Sequence, residues 1–467
     1  MNPTLTAAPA DFRLGLTSQN HEIAVDRLPV TGRIPAWLVG TLLRNGPGRF
    51  EVGADRYRHW FDGFAMIHRF GIADGSVSYA NRFLRTPGFD AAERERRIVC
   101  SEFDTDPKGS MLGRLFNAPP ASENANVNIV PFAGDFLALT ETPNPVAFDG
   151  TTLATKGVLR YDDDVKGQVT TAHTIYDPDR RATFNVVTEM GRGATYKFVR
   201  IENGTLARTV VATITSDLPA YMHAFSATDK HLIIQEYPLV VRPLDLLFRR
   251  KPFIENYRWE PGRGTRFHVV RKDDGAHVGT FAAEAMFAFH PVNAYDDADA
   301  IVIDIAAYDD AAIVGDFAMD RLLTGQPISH GALRRFRLIP GRSEAEVETI
   351  AAETTELPRI ANDRIGKAYR YAYGVDVPSG VFDTIVKVDT HTRAVVRWTQ
   401  PDTYVGEPVF VARPGGQDED DGVVLCVALE GATGHSALLV LDARSLEELA
   451  RAEVPQHVPY GFHGIFR

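Results

Sequence analysis

The sequence predicts an all-β protein built as a seven-bladed β-propeller. Strand-like runs dominate the chain, several of them form hairpins around Asp- or Asn-rich turns, and helical periodicity is scarce. Seven blades of roughly 55 residues use most of the chain. On pattern alone, a pair of β-sandwiches remains the alternative.

The strand-like runs are apolar or β-branched and are bounded by turn residues. They cover residues 136–142, 231–241, 300–308 and 422–431. Four segments repeat one pattern of strand, polar turn and strand, which is typical of tight hairpins: residues 146–161, 198–211, 384–399 and 438–454. Short helices are expected at residues 35–43 and 240–250. No linker-like stretch divides the chain, so residues 1–467 are expected to form a single domain.

Composition restricts the class of protein further. Apolar residues make up 44% of the chain and charged residues 24%, as in globular proteins with a large core. The net charge of −11 and the lack of a basic block argue against nucleic-acid binding. The N-terminal residues do not resemble a signal peptide, and no apolar run reaches the length of a membrane span. We therefore expect a cytoplasmic protein.

Cys100 and Cys426 are the two cysteines of the chain. They are too few for a disulfide framework or a cysteine-rich metal site. We expect two buried free thiols, with a single disulfide between them as the alternative.

Four of the fourteen histidines differ from the rest in their surroundings. His173, His223, His290 and His463 lie among small and aromatic residues, at what the pattern predicts to be strand ends. A propeller brings strand ends from separate blades together at its axis, and imidazole suits iron, copper, nickel and zinc. The four histidines are thus candidate metal ligands, although a histidine in an apolar context is more often a core residue.

Three glutamates have similar apolar neighbours: Glu141, Glu356 and Glu407. A carboxylate in such surroundings needs a hydrogen-bond partner. The N–H of a metal-bound imidazole is such a partner, and the carboxylate then fixes the orientation of the ring. Partial exposure or pairing with arginine is the alternative interpretation for each of them.

Several motifs of the chain, taken together and in order, resemble those of the carotenoid cleavage oxygenases. They are IPAWLVGTLLRNGPGRFEVG (34–53), HWFDGFAMIHRF (59–70), EPVFV (407–411), EDDGVVL (419–425) and VPYGFHGIFR (458–467). Any one motif alone would be weak, whereas their joint occurrence is specific. The resemblance covers nearly the whole chain and implies a seven-bladed propeller capped by loops and short helices.

The resemblance also implies a set of site residues. The family's four Fe(II) ligands match His173, His223, His290 and His463. Its three orienting carboxylates match Glu141, Glu356 and Glu407, which would hold His223, His290 and His463 respectively. The segment AHTIYDP (172–178) departs from many members because it lacks a second histidine after the ligand. This departure concerns the loop rather than the ligand.

The activity implied by the resemblance is that of a non-haem iron dioxygenase. Such an enzyme adds both atoms of O₂ across a conjugated C=C bond of a carotenoid or apocarotenoid and releases two carbonyl products. A stilbene- or phenylpropenoid-cleaving dioxygenase and a retinoid isomerase share the site and remain alternatives; Val127, at a position near the iron, occurs in the isomerase branch as well. A non-catalytic propeller scaffold is the alternative from another class.

A lipophilic polyene needs an apolar tunnel and a way to reach it. Phe225, Phe287 and Phe289 lie near the candidate ligands in sequence and could line such a tunnel. Residues 244–259 combine an apolar run, a basic cluster at 249–251 and three aromatic residues, which favours shallow insertion among lipid headgroups. We therefore expect peripheral membrane contact there; a cap helix packed on the propeller is the alternative.

Overall fold

A computed structural model describes residues 12–109, 122–247 and 251–467. Within these residues the strands form seven sheets of four to six strands and two small two-stranded ribbons. The seven sheets are the blades of a β-propeller, which confirms the predicted fold over the pair of β-sandwiches.

The first four blades follow one another along the chain, apart from one strand that comes from the C-terminus. Blade 1 contains Ala24–Val25, Gly40–Arg49, Phe64–Ala73, Ser76–Phe83 and Gly464–Phe466. Blade 2 contains Asn128–Phe132, Asp135–Leu139, Val146–Phe148 and Thr155–Val158. Blade 3 contains Val169–Thr170, Ile175–Asp177, Ala182–Met190, Ala194–Glu202 and Arg208–Ser216. Blade 4 contains Ser226–Ala227, His231–Glu236, Thr265–Arg271 and His277–Ala283.

The last three blades continue to the C-terminus. Blade 5 contains Pro291–Asp297, Ala300–Ala307, Ala332–Leu338 and Glu346–Ala351. Blade 6 contains Glu356–Arg359, Tyr371–Asp376, Thr384–Asp389 and Val395–Thr399. Blade 7 contains Val30–Gly32, Thr403–Val405, Val409–Ala412, Gly422–Glu430, His435–Asp442 and Glu448–Val454. The two ribbons are Glu51–Val52 with Asp55–Arg56, and Leu239–Val240 with Arg258–Trp259.

The two ends of the chain close the ring. The C-terminal strand Gly464–Phe466 pairs antiparallel with Gly40–Arg49 in blade 1. The N-terminal strand Val30–Gly32 pairs with Glu448–Val454 in blade 7. Each of these two blades therefore contains strands from both ends of the chain, and closure removes the open edges that a linear array would expose.

The four predicted hairpins are all present, and three share one turn chemistry. In each of the three, an aspartate ends the first strand or follows it directly, and its carboxylate accepts the backbone N–H groups two and three residues further on. A residue with positive φ comes four residues after the aspartate and returns the chain to the second strand. The aspartates are Asp149, Asp389 and Asp442, followed by Leu153, Arg393 and Leu446.

Helices are few and short in the described part of the chain. The α-helices are α1 (Pro87–Glu95), α2 (Pro243–Leu247), α3 (Ala312–Asp316) and α4 (Met319–Leu323). The 3₁₀-helices are Phe12–Leu16, Trp60–Asp62, Ile254–Asn256, Pro261–Arg263 and Asn362–Arg364. The helix expected at residues 240–250 corresponds to α2, and residues 248–250 lie outside the described residues. None of the described helices is long and apolar enough to cross a membrane.

The helix expected at residues 35–43 is wrong. Gly40 begins a ten-residue strand that pairs with Phe64–Ala73 on one side and with Gly464–Phe466 on the other. Leu42 and Leu43 are buried between neighbouring sheets, so pairing on both sides and burial on both faces outweigh the helix-like spacing.

The prediction of two buried free thiols is confirmed for Cys100 and Cys426. Burial raises the pKa of both thiols to about 12, so neither is a reactive thiolate at neutral pH.

Candidate metal centre

The four predicted histidines meet at one point. One ring nitrogen from each of His173, His223, His290 and His463 lies within 4.8 Å of the others. His290 and His463 directly precede the strands Pro291–Asp297 and Gly464–Phe466, whereas His173 lies between the two short edge strands of blade 3. Each side chain therefore leaves the sheet at its edge strand, and these edges face the propeller axis.

Each of the seven blades contributes one residue to the predicted site. Blades 1, 3, 4 and 5 supply the histidines, either from the edge strand or from the residues that precede it. Blades 2, 6 and 7 supply Glu141, Glu356 and Glu407. Glu356 begins the edge strand of blade 6, and Glu407 lies between the two short edge strands of blade 7. The site thus depends on closure of the whole ring.

Three carboxylates orient three of the rings. His223 Nδ1 is 2.6 Å from Glu141, His290 Nδ1 is 2.6 Å from Glu356, and His463 Nδ1 is 2.7 Å from Glu407. Because a carboxylate only accepts hydrogen bonds, each Nδ1 carries the proton and donates it, which leaves Nε2 unprotonated. These are the pairs that the family resemblance implies. His173 has no carboxylate partner among the residues that the structure describes.

The Nε2 nitrogens of the four rings face one another across the centre. His290 Nε2 and His463 Nε2 are 3.1 Å apart, and His173 Nε2 and His223 Nε2 are 3.0 Å apart. His290 and His463 each donate from Nδ1, so their Nε2 lone pairs repel each other at this distance unless a cation lies between them. Two metal–nitrogen bonds of about 2.1 Å that meet at a right angle separate their nitrogens by about 3.0 Å, whereas a tetrahedral angle gives about 3.4 Å. The donor set and these separations therefore fit a metal ion.

Burial keeps three of the imidazoles neutral. It lowers the pKa of His463 to about 3 and lowers the pKa of His290 despite the opposing effect of Glu356. The pKa of His173 falls well below its ordinary value because of burial and the three neighbouring histidines. Neutral imidazole is the form that binds a metal, so no proton competes for these nitrogens at neutral pH.

The three glutamates have different further partners. Glu141 accepts a 2.7 Å hydrogen bond from the Tyr221 hydroxyl, and Glu356 accepts one of 3.0 Å from the Tyr308 hydroxyl. Glu407 instead accepts from the guanidinium groups of Arg44 and Arg359, the latter at 2.7 Å. Two carboxylates are therefore held by neutral phenols and one by two cations.

The electrostatics of these contacts keep two of the carboxylates ionised. Burial opposes the charge of Glu407, but the two guanidinium groups and His463 outweigh it and lower its pKa. Burial likewise opposes the charge of Glu356, but His290, the Leu357 N–H and Tyr308 outweigh it and lower its pKa. Each of these buried carboxylates can therefore compensate positive charge at the centre.

A cavity of about 630 Å³ opens onto the histidines. His223, His290 and His463 form part of its wall, and aromatic rings form much of the rest: Trp60, Phe61, Phe289, Phe317, Phe382 and Phe462. At its other end the cavity reaches Pro243 and Leu247 of α2, together with Lys251. An apolar passage therefore leads from α2 to the cluster of histidines.

The prediction of tunnel aromatics is confirmed for Phe289 and wrong for two others. Phe225 packs in the core between blades 3 and 4, and Phe287 packs against Tyr221 and Tyr237. Phe61, whose ring stacks 6.2 Å from that of His223, was not singled out from the sequence. Its motif HWFDGFAM gave no clear signal, since Trp60 and Phe61 line the cavity whereas Phe64 of the same motif packs in the core.

Comparison with known proteins agrees with this geometry. The family model described as retinal pigment epithelial membrane protein matches residues 16–467. A mitochondrial carotenoid-cleaving dioxygenase of Macaca fascicularis is 33% identical and covers 94% of this chain and 91% of its own. The human beta,beta-carotene 15,15'-dioxygenase is also 33% identical and covers 96% and 93%.

Solved structures show the same likeness. A variant of the Synechocystis apocarotenoid oxygenase superposes with a TM-score of 0.88 at 27% identity over 98% of each chain. The cobalt-substituted form of that enzyme gives the same three values. From the extent of these matches, the chain belongs to the retinal pigment epithelial membrane protein family of carotenoid cleavage oxygenases, and it is a dioxygenase enzyme of that family.

Proposed function

We propose that the protein is an iron(II) dioxygenase that cleaves a conjugated C=C bond of a lipophilic carotenoid or apocarotenoid with O₂. The observation that carries this proposal is the cluster of four histidines at the inner end of an aromatic cavity. His173, His223, His290 and His463 would hold the iron. Glu141, Glu356 and Glu407 would orient three of the rings and balance the charge of the ion.

The protein contributes position and surroundings to this reaction. Iron(II), when bound, supplies the activation of O₂ for attack on the alkene. The aromatic wall excludes water and aligns a rigid polyene so that one double bond among many lies beside the histidines. The imidazoles are held in one tautomer by the carboxylates and take no part as acids or bases.

Two alternatives share the same site. A stilbene-cleaving dioxygenase needs a group that binds a phenol, and a retinoid isomerase would return an isomer rather than two fragments. The long apolar approach from α2 favours a more lipophilic substrate than a stilbene. The scaffold alternative does not hold, because the relatives of this chain are enzymes.

The test is turnover of a substrate panel. Purified iron-loaded protein would be incubated with β-carotene, apocarotenals, retinyl ester and stilbenes, and the products identified by mass spectrometry. Under ¹⁸O₂ we expect both carbonyl fragments of a polyene to carry label, after correction for exchange with water. The His290→Ala variant is the control for iron-dependent cleavage. Isomerised product without fragments, or cleavage of stilbenes alone, would contradict the proposal.

We also propose that the α2 end of the cavity contacts a membrane peripherally. Leu244 and Leu247 are 64% and 66% exposed, although both belong to an apolar run. Leu247 also lines the cavity, so an apolar mouth faces outwards where a water-insoluble substrate would enter. Arg242 and Lys251 are exposed on either side of this mouth. Phe248, Arg249 and Arg250, which contribute to the sequence prediction, lie outside the described residues.

A further inference from the structure

One wall of the cavity carries a small polar cluster among aromatic neighbours. Glu102, Ser122 and Asn124 line the cavity there, and Asp62 is fully buried beside them. The Ser122 hydroxyl donates to Glu102, and Asn124 Nδ2 donates to the backbone carbonyl groups of Asp62 and Gly63, at 3.1 and 2.8 Å. The cluster is therefore built into the wall by hydrogen bonds and is not a mobile surface feature.

Glu102 differs in its partners from several of the buried carboxylates in the described part of the chain. Glu407, Glu236 and Asp177 each pair with at least one arginine or lysine. In the described residues Glu102 has no cationic partner, and neither does Asp62, which accepts from the Thr105 hydroxyl and the Asp104 N–H. A carboxyl group that faces a mainly aromatic cavity without a cation is costly, so a purely structural role does not explain it.

The surroundings keep the carboxyl group of Glu102 protonated. Burial raises the pKa of Glu102 well above its ordinary value, and the carboxylate of Asp62 adds to this effect. Burial also raises the pKa of Asp62 to about 7, against the hydrogen bonds from Thr105 and Asp104. A neutral carboxylic acid has one donor and one acceptor, and either can bind an uncharged oxygen of a ligand.

We infer that Glu102 binds an oxygen-bearing terminus of the polyene, a hydroxyl or a carbonyl group, and so selects oxygenated apocarotenoids over hydrocarbon carotenoids. This inference rests on the proposed function and narrows its substrate class. The O–H of Glu102 donates to a carbonyl, or its C=O accepts from a hydroxyl. A hydrocarbon terminus would leave the carboxyl group of Glu102 desolvated and without a hydrogen-bond partner. This cost disfavours binding of a ligand that lacks a polar group at this position.

The position of the cluster gives it a second effect on the reaction. Asp62 directly follows Phe61, whose ring stacks on His223 of the metal centre. The 3₁₀-helix Trp60–Asp62 therefore connects the polar cluster rigidly to the site of cleavage. A terminus held at Glu102 fixes the distance from the end of the polyene to the bond that is cut, so Glu102 is a residue that determines specificity and cleavage position.

The test uses pairs of apocarotenoids of equal chain length, with and without a terminal hydroxyl or aldehyde group, and the iron-loaded full-length protein. We expect the wild type to favour the oxygenated member of each pair by about 10-fold in kcat/KM, the value of one buried hydrogen bond. Glu102→Leu should remove this preference and broaden the distribution of cleavage positions. Glu102→Gln should retain it, because a carboxamide also has a donor and an acceptor. Glu447→Leu, at an exposed turn of blade 7, is the matched control.

The outcomes separate this inference from the proposed function. Cleavage of both members of each pair with equal efficiency by the wild type and Glu102→Leu would overturn the inference and leave the proposed function standing. A uniform loss of activity in Glu102→Leu, with the preference unchanged, would assign Glu102 a structural role and also overturn it. Failure of the wild type to cleave any polyene would overturn both. An elution profile and an iron content that match those of the wild type show that the variants are folded.

Discussion

At the scale of single residues, the centre combines four candidate ligand histidines with three carboxylates that differ in their support. The phenols of Tyr221 and Tyr308 are uncharged partners of Glu141 and Glu356. Glu407 shares its charge among His463, Arg44 and Arg359. One of the three imidazoles is therefore less electron-rich than the other two, and the chemistry at a bound metal ion need not be symmetric.

Replacement of a ligand tests the metal site most directly. We expect His290→Ala to lose most of its iron and its activity. Loss of an orienting partner lowers metal affinity or activity by about 10–100-fold, and loss of a ligand should lower them further. Iron would be measured by elemental analysis of the purified protein. His277→Ala, on the outer strand of blade 4, is the control and should keep both. A His290→Ala variant with full iron content would show that the cluster is not the metal site.

The different support of the carboxylates gives a second prediction. Glu356→Gln and Glu407→Gln should each weaken iron affinity or activity by about 10–100-fold, because the imidazole loses its charged acceptor. Only Glu407→Gln should also lower the melting temperature clearly, since it leaves the buried Arg44 without its counter-charge. Metal titration and thermal unfolding of the metal-free proteins measure the two effects separately. Equal melting temperatures would mean that the arginines contribute no more than the phenols.

At the scale of elements, local chemistry predicts some features and tertiary contacts determine others. The hairpin turns at Asp149, Asp389 and Asp442 were predictable, because the carboxylate caps its own turn whatever surrounds it. The strand at Gly40–Arg49 was not, because the partners that make it a strand lie 15 residues or more away along the chain. Phe225 and Phe287 were misassigned for the same reason: whether a ring faces a cavity or the core depends on neighbouring blades.

The exposed helix α2 carries the membrane prediction. Leu244→Ser combined with Leu247→Ser should reduce flotation with anionic liposomes and slow turnover of substrate presented in vesicles, since it removes apolar surface at the mouth of the cavity. Turnover of detergent-solubilised substrate should change little. The control, Val347→Ser with Val396→Ser, removes exposed apolar side chains from blades 5 and 6. Equal flotation of the helix variant and the wild type would leave α2 as a cap without a membrane role.

At the scale of the whole molecule, the site exists only because the ring closes. Its seven residues come from seven blades, and His463 directly precedes the strand that pairs the C-terminus with Gly40–Arg49. No local sequence pattern relates residues so far apart. The aromatic neighbours that the histidines share made them candidate ligands, but they did not indicate which metal binds. The motif resemblance predicted the ligand set and the pairing of each glutamate with its histidine. It could do so because the family pattern reflects contacts between residues that are distant in the sequence and meet only in the folded protein.

This dependence on closure predicts how the metal affects stability. An ion bound by blades 1, 3, 4 and 5 links one side of the ring to the other and binds the folded state alone, since the unfolded chain does not assemble the four nitrogens. At a free iron concentration of 1,000 times Kd, such binding adds about 4 kcal/mol to the free energy of unfolding. Chelation should therefore lower the melting temperature by several degrees, and anaerobic addition of Fe(II) should restore it. His290→Ala should melt at the same temperature with and without iron. A wild-type melting temperature that is also independent of iron would mean that the ion does not link the blades.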